Sequence, residues 1–184
     1  MKKPLKSPPR ENLILRKNLP NNLVLIGMFG SGKSTVGRIL AGRLRYHFVD
    51  VDHLIEAKYK KPLQKVLDSL GMKEFMRAEE RVLQALRSRH CVISPGGSAV
   101  YYPRAMAHLK SLGPRIYLKV SLRELKKRMP DWSNRGVVRR GGNSLDALYR
   151  ERGPLFRRHA DLTVEARGKS AEKIAQEILG KMRR

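Results

Sequence analysis

The chain has 184 residues, 41% of them hydrophobic, and a formal net charge of +24. This is the size of one domain, large enough to fold without disulfides or structural metals. Its apolar runs fall far short of the roughly 18 residues that a membrane span needs, and its basic N-terminus lacks the apolar core of a signal peptide. We therefore expect a soluble cytoplasmic protein with no membrane partner.

Cysteine and histidine give no sign of redox or metal chemistry. Cys91 is the single cysteine and lies in the apolar run CVIS, which is typical of a buried, reduced thiol. The histidines show no metal-ligand spacing, so we expect them to be surface or packing residues: His47, His53, His90, His108 and His159.

The positive charge is compatible with a nucleic-acid partner, with acidic lipid or with phosphorylated small molecules. Residues 1–21 are rich in proline and carry a net charge of +5, which leaves +19 for the rest of the chain. A detachable basic arm is therefore not the main source of the charge. We expect a flexible N-terminal extension over 1–21, followed by a single domain over 22–184.

Short apolar runs alternate with longer segments of helical period, which is typical of an α/β domain with a mostly parallel sheet. The predicted strands are LVLIG at 23–27, HFVDV at 47–51, CVIS at 91–94, RIYLKV at 115–120 and DLTVEA at 161–166. Phe75, Glu79 and Leu83 form one stripe of a predicted helix. Ser121-Leu-Arg-Glu124 is a predicted capping box and Ser170 a predicted helix cap. Residues 129–143, which have no period and several glycines, are predicted to be a mobile loop.

The segment GMFGSGKS, from Gly27 to Ser34, matches the GxxxxGKS phosphate-binding motif in full. A predicted strand precedes it and an amphipathic helix follows it, as this motif requires. Glycines let backbone N–H groups surround phosphate oxygens, Lys33 reaches the β- and γ-phosphates, and Ser34 ligates Mg²⁺. The sequence thus predicts binding of a nucleoside triphosphate.

Two carboxylates follow in FVDVD at 48–52, at the end of the second predicted strand. Because strand side chains alternate with period two, Asp50 and Asp52 are expected on one face, at the carboxyl edge where ligands bind. One can support the Mg²⁺ shell while the other meets an acceptor hydroxyl. The pair alone is also compatible with a solvated strand end.

Together with the phosphate-binding motif, these residues resemble the shikimate kinase family, a branch of small-molecule kinases related to nucleoside-monophosphate kinases. The matching segments span roughly 22–180: GMFGSGKSTVGRILAGRL, FVDVDHLIE, SPGGSAV at 94–100 and RGPLFRRHAD at 152–161. The resemblance implies a three-layer α/β/α P-loop fold with a five-stranded parallel sheet. It also implies a substrate-binding helical segment and a lid over ATP, here about 129–143.

The resemblance also implies roles for individual residues. Those expected to bind ATP are Gly30, Ser31, Gly32, Lys33, Ser34, Thr35, Arg128 near adenine, and Arg135 on the transferring phosphoryl group. Ser34 and Asp50 are expected to hold Mg²⁺, the only expected metal. Asp52 is expected to hold the acceptor hydroxyl and take its proton, with Gly96, Gly97 and Arg152 around the acceptor. Lys33, Asp52 and Arg135 form the expected catalytic set.

One departure bears on the acceptor. The family usually reads Phe-Arg-x-x-Glu where this chain has Phe75 and Glu79 around Met76, and that arginine binds the substrate carboxylate. Arg77 lies about 100° further around the helix. Losing one partner of a charged pair typically costs about 3–5 kcal/mol. Either Met76 forms an apolar wall for a less negative acceptor, or it is a core residue and Arg77 or another basic side chain binds the carboxylate.

Smaller departures occur nearby: Pro95 precedes the glycine pair, Ser98 replaces a third glycine, and the lid reads Arg-Gly-Val at 135–137 where Arg-Pro-Leu is usual. The leading hypothesis is a monomeric, Mg²⁺-dependent kinase that phosphorylates shikimate to shikimate 3-phosphate. Another small hydroxy acid or hydroxy amino acid is the alternative acceptor, and nucleotide and gluconate kinases share the scaffold. A nucleic-acid-binding P-loop ATPase is supported by charge alone, because only 6% of residues are aromatic.

Overall fold

The structure, a computed structural model, describes residues 19–132, 136–139 and 144–182. Residues 1–18 of the expected extension and Arg135 lie outside this part of the chain. Residues 20 and 21 already bond to the domain: the Pro20 carbonyl accepts from the Tyr46 hydroxyl at 3.0 Å, and the Asn21 carbonyl accepts from the His90 N–H at 2.7 Å. The two residues before the first strand are therefore attached to the domain by their backbone.

All five predicted strands are confirmed, with ends that differ by at most one residue. They are β1 (Asn22–Ile26), β2 (His47–Asp50), β3 (Cys91–Ser94), β4 (Arg115–Lys119) and β5 (Leu162–Glu165). The sheet is parallel, in the order β2-β3-β1-β4-β5. Because β1 is central and fully buried, the phosphate-binding loop that follows it starts from the interior of the sheet.

Seven α-helices complete the three-layer α/β/α fold in the described residues. They are α1 (Lys33–Leu44), α2 (Val51–Tyr59), α3 (Leu63–Ala85), α4 (Pro103–Leu112), α5 (Leu122–Arg128), α6 (Leu145–His159) and α7 (Ala171–Met182). A short 3₁₀ turn spans Ala99–Tyr101. None of these helices combines the length and apolarity needed to cross a bilayer.

Both predicted serine caps are confirmed. The Ser121 hydroxyl accepts from the Glu124 N–H at 3.3 Å, and the Ser170 hydroxyl accepts from the Lys173 N–H at 3.3 Å. The Glu124 carboxylate accepts from Arg128 Nε at 3.0 Å instead of completing a capping box. These caps satisfy N–H groups that the helices leave free.

Helix α3 contains a break that the hydrophobic period does not show. Gly71 has φ 72° and ψ 163°, a backbone conformation that only glycine adopts readily. The second half of the helix therefore follows its own direction, and it buries both Phe75 and Glu79. The predicted stripe of Phe75, Glu79 and Leu83 is confirmed.

A bidentate ion pair joins the two strands at one side of the sheet, and it yields a stability prediction. Arg115 Nε and Nη2 donate to the two carboxylate oxygens of Asp161 at 2.9 and 3.0 Å, and the Arg115 N–H donates as well. Because Arg115 is only 6% exposed, Asp161→Asn should lower the free energy of unfolding by about 1.5–3 kcal/mol at pH 7. Urea unfolding measures this loss.

The same pair predicts a pH dependence. The hydrogen bonds from Arg115 hold the pKa of Asp161 below its ordinary 3.8, so its stabilisation is complete above that pH and disappears as the pH falls through the lowered value. The difference between wild type and Asp161→Asn should shrink below about pH 4. Asp146→Asn is the control, because its pair with Lys126 is exposed and its removal should change stability much less than Asp161→Asn does. A pH-independent difference would contradict the prediction.

Candidate active site

The phosphate-binding loop connects β1 to α1 over residues 27–32. Gly30 has φ 72°, and a Cβ there would lie 2.6 Å from Met129 Cγ, so both backbone conformation and space require glycine. Lys33 Nζ donates to the carbonyls of Gly27 and Met28 at 2.9 and 3.0 Å. Burial, the largest effect, lowers the pKa of Lys33 to about 8, although Asp52 and Asp50 oppose it. The loop thus holds a buried cation at the first helical residue.

A cavity of 410 Å³ opens at this loop. Seven of the residues predicted to bind ATP or Mg²⁺ line this cavity: Gly30, Gly32, Lys33, Ser34, Thr35, Asp50 and Arg128. Ser31 is different: its side chain is buried against Gly27 and its hydroxyl has no hydrogen-bond partner among the described residues. Only the backbone of Ser31 is available to a phosphate, and Arg135 lies outside the described residues.

The two aspartates reach this cavity in a way that corrects the sequence prediction. Strand β2 ends at Asp50, and Asp52 lies in the first turn of α2. The prediction that the two aspartates share one face of a strand is therefore wrong. The Asp50 carboxylate caps the helix by accepting from the Asp52 N–H at 3.2 Å, which stops the period-two alternation at that residue. Both carboxylates nevertheless line the cavity, because the capping turn directs the first helical turn toward the loop.

Ser34 and Asp50 form the oxygen pair predicted to hold Mg²⁺. The Ser34 hydroxyl donates to Asp50 Oδ2 at 3.0 Å, on the wall of the phosphate cavity. The donor set of hydroxyl and carboxylate fits a hard cation that keeps most of its water ligands. Within the described ranges, no three His, Cys, Asp or Glu residues cluster as a separate metal site.

A second cavity adjoins the first and shares Phe29, Asp52 and Gly97 with it. Its remaining walls come from four parts of the chain: Leu63, Phe75 and Glu79; Gly96 and Ser98; Gly136, Val137 and Val138; and Arg152. The predicted acceptor residues Asp52, Gly96, Gly97 and Arg152 are therefore brought together. Asp52 stands where the two cavities meet.

Asp52 is held in an electrostatic environment that favours its protonated form. Burial is the largest effect, followed by the negative charges of Glu79 and Asp50, and together they raise the pKa of Asp52 to about 7 despite nearby Lys33. A Cβ on Gly96 would lie 2.8 Å from Asp52 Oδ1 and 2.6 Å from Glu79 Oε1. Glycine at 96 is thus required for the two carboxylates to face this cavity.

Arg152 on α6 is only 1% exposed. Its Nε donates to the Tyr101 hydroxyl at 3.0 Å, its guanidinium lies 5.1 Å from the Tyr101 ring centre, and Nη2 donates to the Val138 carbonyl. A Cβ on Gly97 would lie 3.1 Å from Arg152 Nη1. The described lid segment, 136–139, therefore already accepts a hydrogen bond from the guanidinium group that is predicted to bind the acceptor.

The comparisons with known proteins agree on one family. The shikimate kinase family model matches residues 29–183. The chain belongs to the shikimate kinase family. The shikimate kinase of Thiobacillus denitrificans is 35% identical over 165 residues, which are 88% of this chain and 90% of the relative. The shikimate kinase of Rhizobium meliloti is 37% identical over 161 residues, which are 86% of this chain and 83% of the relative.

A solved shikimate kinase from Acinetobacter baumannii, in complex with shikimate, superimposes with a TM-score of 0.82 at 31% identity. It covers 90% of this chain and 94% of that structure. The five-stranded parallel sheet and the P-loop kinase fold expected from the resemblance are thus confirmed, as is kinase activity as the enzyme class.

Glu79 is a buried hydrogen-bond acceptor in this shikimate kinase family member, a role that the sequence did not indicate. It is 2% exposed, and burial raises its pKa. The Ser98 hydroxyl donates to both of its oxygens at 2.7 Å, and the Tyr102 hydroxyl donates to Oε2 at 2.6 Å. Ser98 thus serves as a hydrogen-bond donor to the buried carboxylate. The spacing of 19 and 23 residues gives no local signal of these contacts.

Met76, expected to form either an apolar wall for the acceptor or part of the core, does not line the acceptor cavity. It lies on an adjacent groove of 520 Å³, which we call the α3–lid groove and which is lined by Met72, Lys73, Met76, Arg77, Glu80, Tyr102 and Arg139. Arg77 Nη1 donates to the exposed Glu74 carboxylate at 2.5 Å. Neither Met76 nor Arg77 therefore reaches the cavity that holds Arg152.

Aromatic contacts, which the sequence did not predict, join the lid of this shikimate kinase family member to its phosphate-binding loop. The Trp132 ring lies 5.3 Å from the Phe29 ring, and the Arg139 guanidinium lies 4.6 Å from the Trp132 ring centre. Arg128, predicted to lie near adenine, is at the rim of the phosphate cavity and pairs with Glu124. Trp132 is the sole tryptophan in the chain, so its fluorescence reports on this contact.

Proposed function

We propose that the protein transfers the γ-phosphoryl group of ATP to a hydroxyl of shikimate, giving shikimate 3-phosphate and ADP. The observation that carries the proposal is that Asp52 forms a common wall of the phosphate cavity and of the cavity that contains Arg152. A carboxylate at this junction is within reach of both reaction partners. The shikimate-bound Acinetobacter baumannii structure, with its TM-score of 0.82, supports the choice of acceptor.

The nucleotide side of the reaction follows from the loop geometry. Backbone N–H groups of 30–35 at the start of α1 would bind phosphate oxygens, and Lys33 would exchange the carbonyls of Gly27 and Met28 for the β- and γ-phosphates. Ser34 and Asp50 would hold Mg²⁺, the cofactor that we propose to enter with ATP and to neutralise charge on its phosphates. Arg128, and Arg135 from the lid, would add positive charge around the nucleotide.

The acceptor side uses a carboxylate and a guanidinium group. Asp52 would accept a hydrogen bond from the acceptor hydroxyl and take its proton as that oxygen bonds to the γ-phosphorus. The bond from that phosphorus to the bridging oxygen breaks, and ADP keeps the electron pair. Arg152 would bind the acceptor carboxylate and fix its orientation, with Gly96 and Gly97 allowing close approach.

Acceptor binding requires the lid to move. The acceptor cavity has room for 30 Å³, and a single water needs roughly 10–15 Å³ on the same measure. Val138 lines this space, and its carbonyl accepts a hydrogen bond from Arg152. The Gly136 N–H donates to Gln64 at 2.6 Å, which attaches the segment to α3. The acceptor carboxylate would therefore replace the Val138 carbonyl on Arg152.

An acceptor screen tests the proposal. Purified protein with ATP and Mg²⁺ is offered shikimate, quinate, homoserine, threonine and gluconate, and ADP release and the phosphorylated product are measured. We expect kcat/KM to be highest for shikimate, because the shikimate kinase that this chain resembles at a TM-score of 0.82 binds shikimate. A higher value for any other compound would replace shikimate as the acceptor, and phosphorylation of none, with oligonucleotide-stimulated ATP hydrolysis, would favour the nucleic-acid-dependent ATPase.

We also propose that the enzyme acts as a monomer in the cytoplasm. The support is that both cavities are built by residues of one chain, and that the free Cys91 thiol is buried and calls for no oxidising compartment. Light scattering at micromolar protein concentration measures the mass, for which 21.0 kDa is expected.

A further inference from the structure

The α3–lid groove is separated from the acceptor cavity by Tyr102. This side chain lines the groove, while its hydroxyl donates to Glu79, which lines the cavity. Met76 lies on the groove wall, on the same half of α3 as Glu79. Residue 76 is thus next to the acceptor site, in a space that the lid residue Arg139 also enters.

Arg139 brings a charge that is available to a ligand. It is half-buried, and its guanidinium stacks on Trp132 at 4.6 Å. None of the ion pairs in the described ranges includes it. Arg77, in the same groove, is instead paired with Glu74 at 2.5 Å. Arg139 is therefore the better candidate to receive a new anion.

The acceptor cavity needs such a charge. Its walls carry the carboxylates of Asp52 and Glu79 against the single guanidinium of Arg152. A carboxylate that enters this cavity is repelled by the Glu79 carboxylate, which accepts hydrogen bonds from Ser98 and Tyr102, so the single arginine has this acid to offset as well as the charge of the ligand. An arginine at position 76 would supply a second cation, but it would share the groove with Arg139 and repel it. Methionine at 76 leaves the position open to Arg139.

We propose that Arg139 is a specificity-determining residue that supplies the second positive charge for the acceptor carboxylate, in place of an arginine at position 76. This inference rests on the proposed function. Val138 and Arg139 are consecutive, so the displacement that frees Arg152 from the Val138 carbonyl also moves Arg139. Both guanidinium groups, those of Arg152 and Arg139, then become available to the acceptor carboxylate in the same movement of the lid.

The test compares a charged acceptor with its uncharged ester. Arg139→Gln should raise KM for shikimate by about 10- to 100-fold, the effect of one charge-assisted hydrogen bond. KM for methyl shikimate should change by less than about threefold, and kcat should fall less than KM rises. Arg139→Lys should keep most of the affinity. Arg77→Gln is the matched control and should leave KM for both compounds unchanged.

A rescue experiment tests the exchange between the two positions. Met76→Arg should restore affinity for shikimate in the Arg139→Gln protein, yet give no gain in the wild type, where Arg139 already provides the charge. Equal shifts for acid and ester, no shift, absence of rescue, or a larger effect of Arg77→Gln would each overturn the inference. If the wild type does not phosphorylate shikimate, the proposed function fails; if it does and Arg139→Gln is silent, only this inference fails.

Discussion

Replacement of Asp52 by asparagine is expected to lower kcat on the best acceptor by about 10²- to 10⁴-fold, the usual contribution of a general base. Asparagine keeps the size and the hydrogen-bonding capacity of the side chain but cannot take the proton of the acceptor hydroxyl. Because Asp52 lies where the two cavities meet, no other carboxylate in the part of the chain that the structure describes is equally placed: Asp50 caps α2 and Glu79 is held by two hydroxyl groups.

The measurement separates this loss of chemistry from a loss of binding. ATP affinity, followed through Trp132 fluorescence, should change by less than about threefold, because Asp52, although it lines the phosphate cavity, makes none of the backbone or Lys33 contacts proposed for the phosphates. Asp146→Asn removes an exposed carboxylate paired with Lys126 and should keep full kcat. Full activity of Asp52→Asn would show that another group accepts the proton.

The sheet and the phosphate-binding loop were predictable because their signals are local. LVLI is apolar throughout, and a parallel strand buried on both faces requires this; the glycine and lysine spacing that follows fixes the loop. Ser121 and Ser170 revealed their caps in the same way. In each case the residues that decide the structure are within a few positions of the element they form.

The placement of Asp52 was mispredicted because two local rules compete in FVDVD. Alternation of apolar and polar residues favours continuing the strand, whereas an aspartate before a helical segment favours a cap. The cap prevails at Asp50, since its carboxylate bonds both the Asp52 N–H and the Ser34 hydroxyl. The second of these bonds crosses 16 residues and has no local sequence signal.

The environment of Met76 was beyond prediction for a different reason. The helical period places residue 76 correctly relative to Phe75 and Glu79, but the direction of that segment depends on the backbone break at Gly71. Its neighbours Tyr102 and Arg139 come from distant parts of the chain. A resemblance to a family identifies which residue is unusual, whereas only the packing shows that it faces a groove beside the acceptor cavity.

Replacement of Lys33 by methionine is the second change expected to have a large effect, with a fall in kcat of about 10²- to 10³-fold, typical of losing one preorganised donor to a developing charge. The free protein should tolerate the change. Lys33 is only 9% exposed, so its ammonium group is poorly solvated and burial lowers its pKa to about 8. Methionine has a similar length without the charge. Thermal unfolding without nucleotide should therefore shift by only a few degrees.

Nucleotide binding provides the contrast. ATP with Mg²⁺ should raise the unfolding temperature of the wild type, because a ligand that binds only the folded state stabilises it. Lys33→Met should lose most of this increase, since the cation that the Gly27 and Met28 carbonyls hold in place is the one that would reach the phosphates. Lys173→Met on the exposed face of α7 should keep both the increase and kcat. An undiminished ATP-induced shift in Lys33→Met would show that Lys33 does not bind the phosphates.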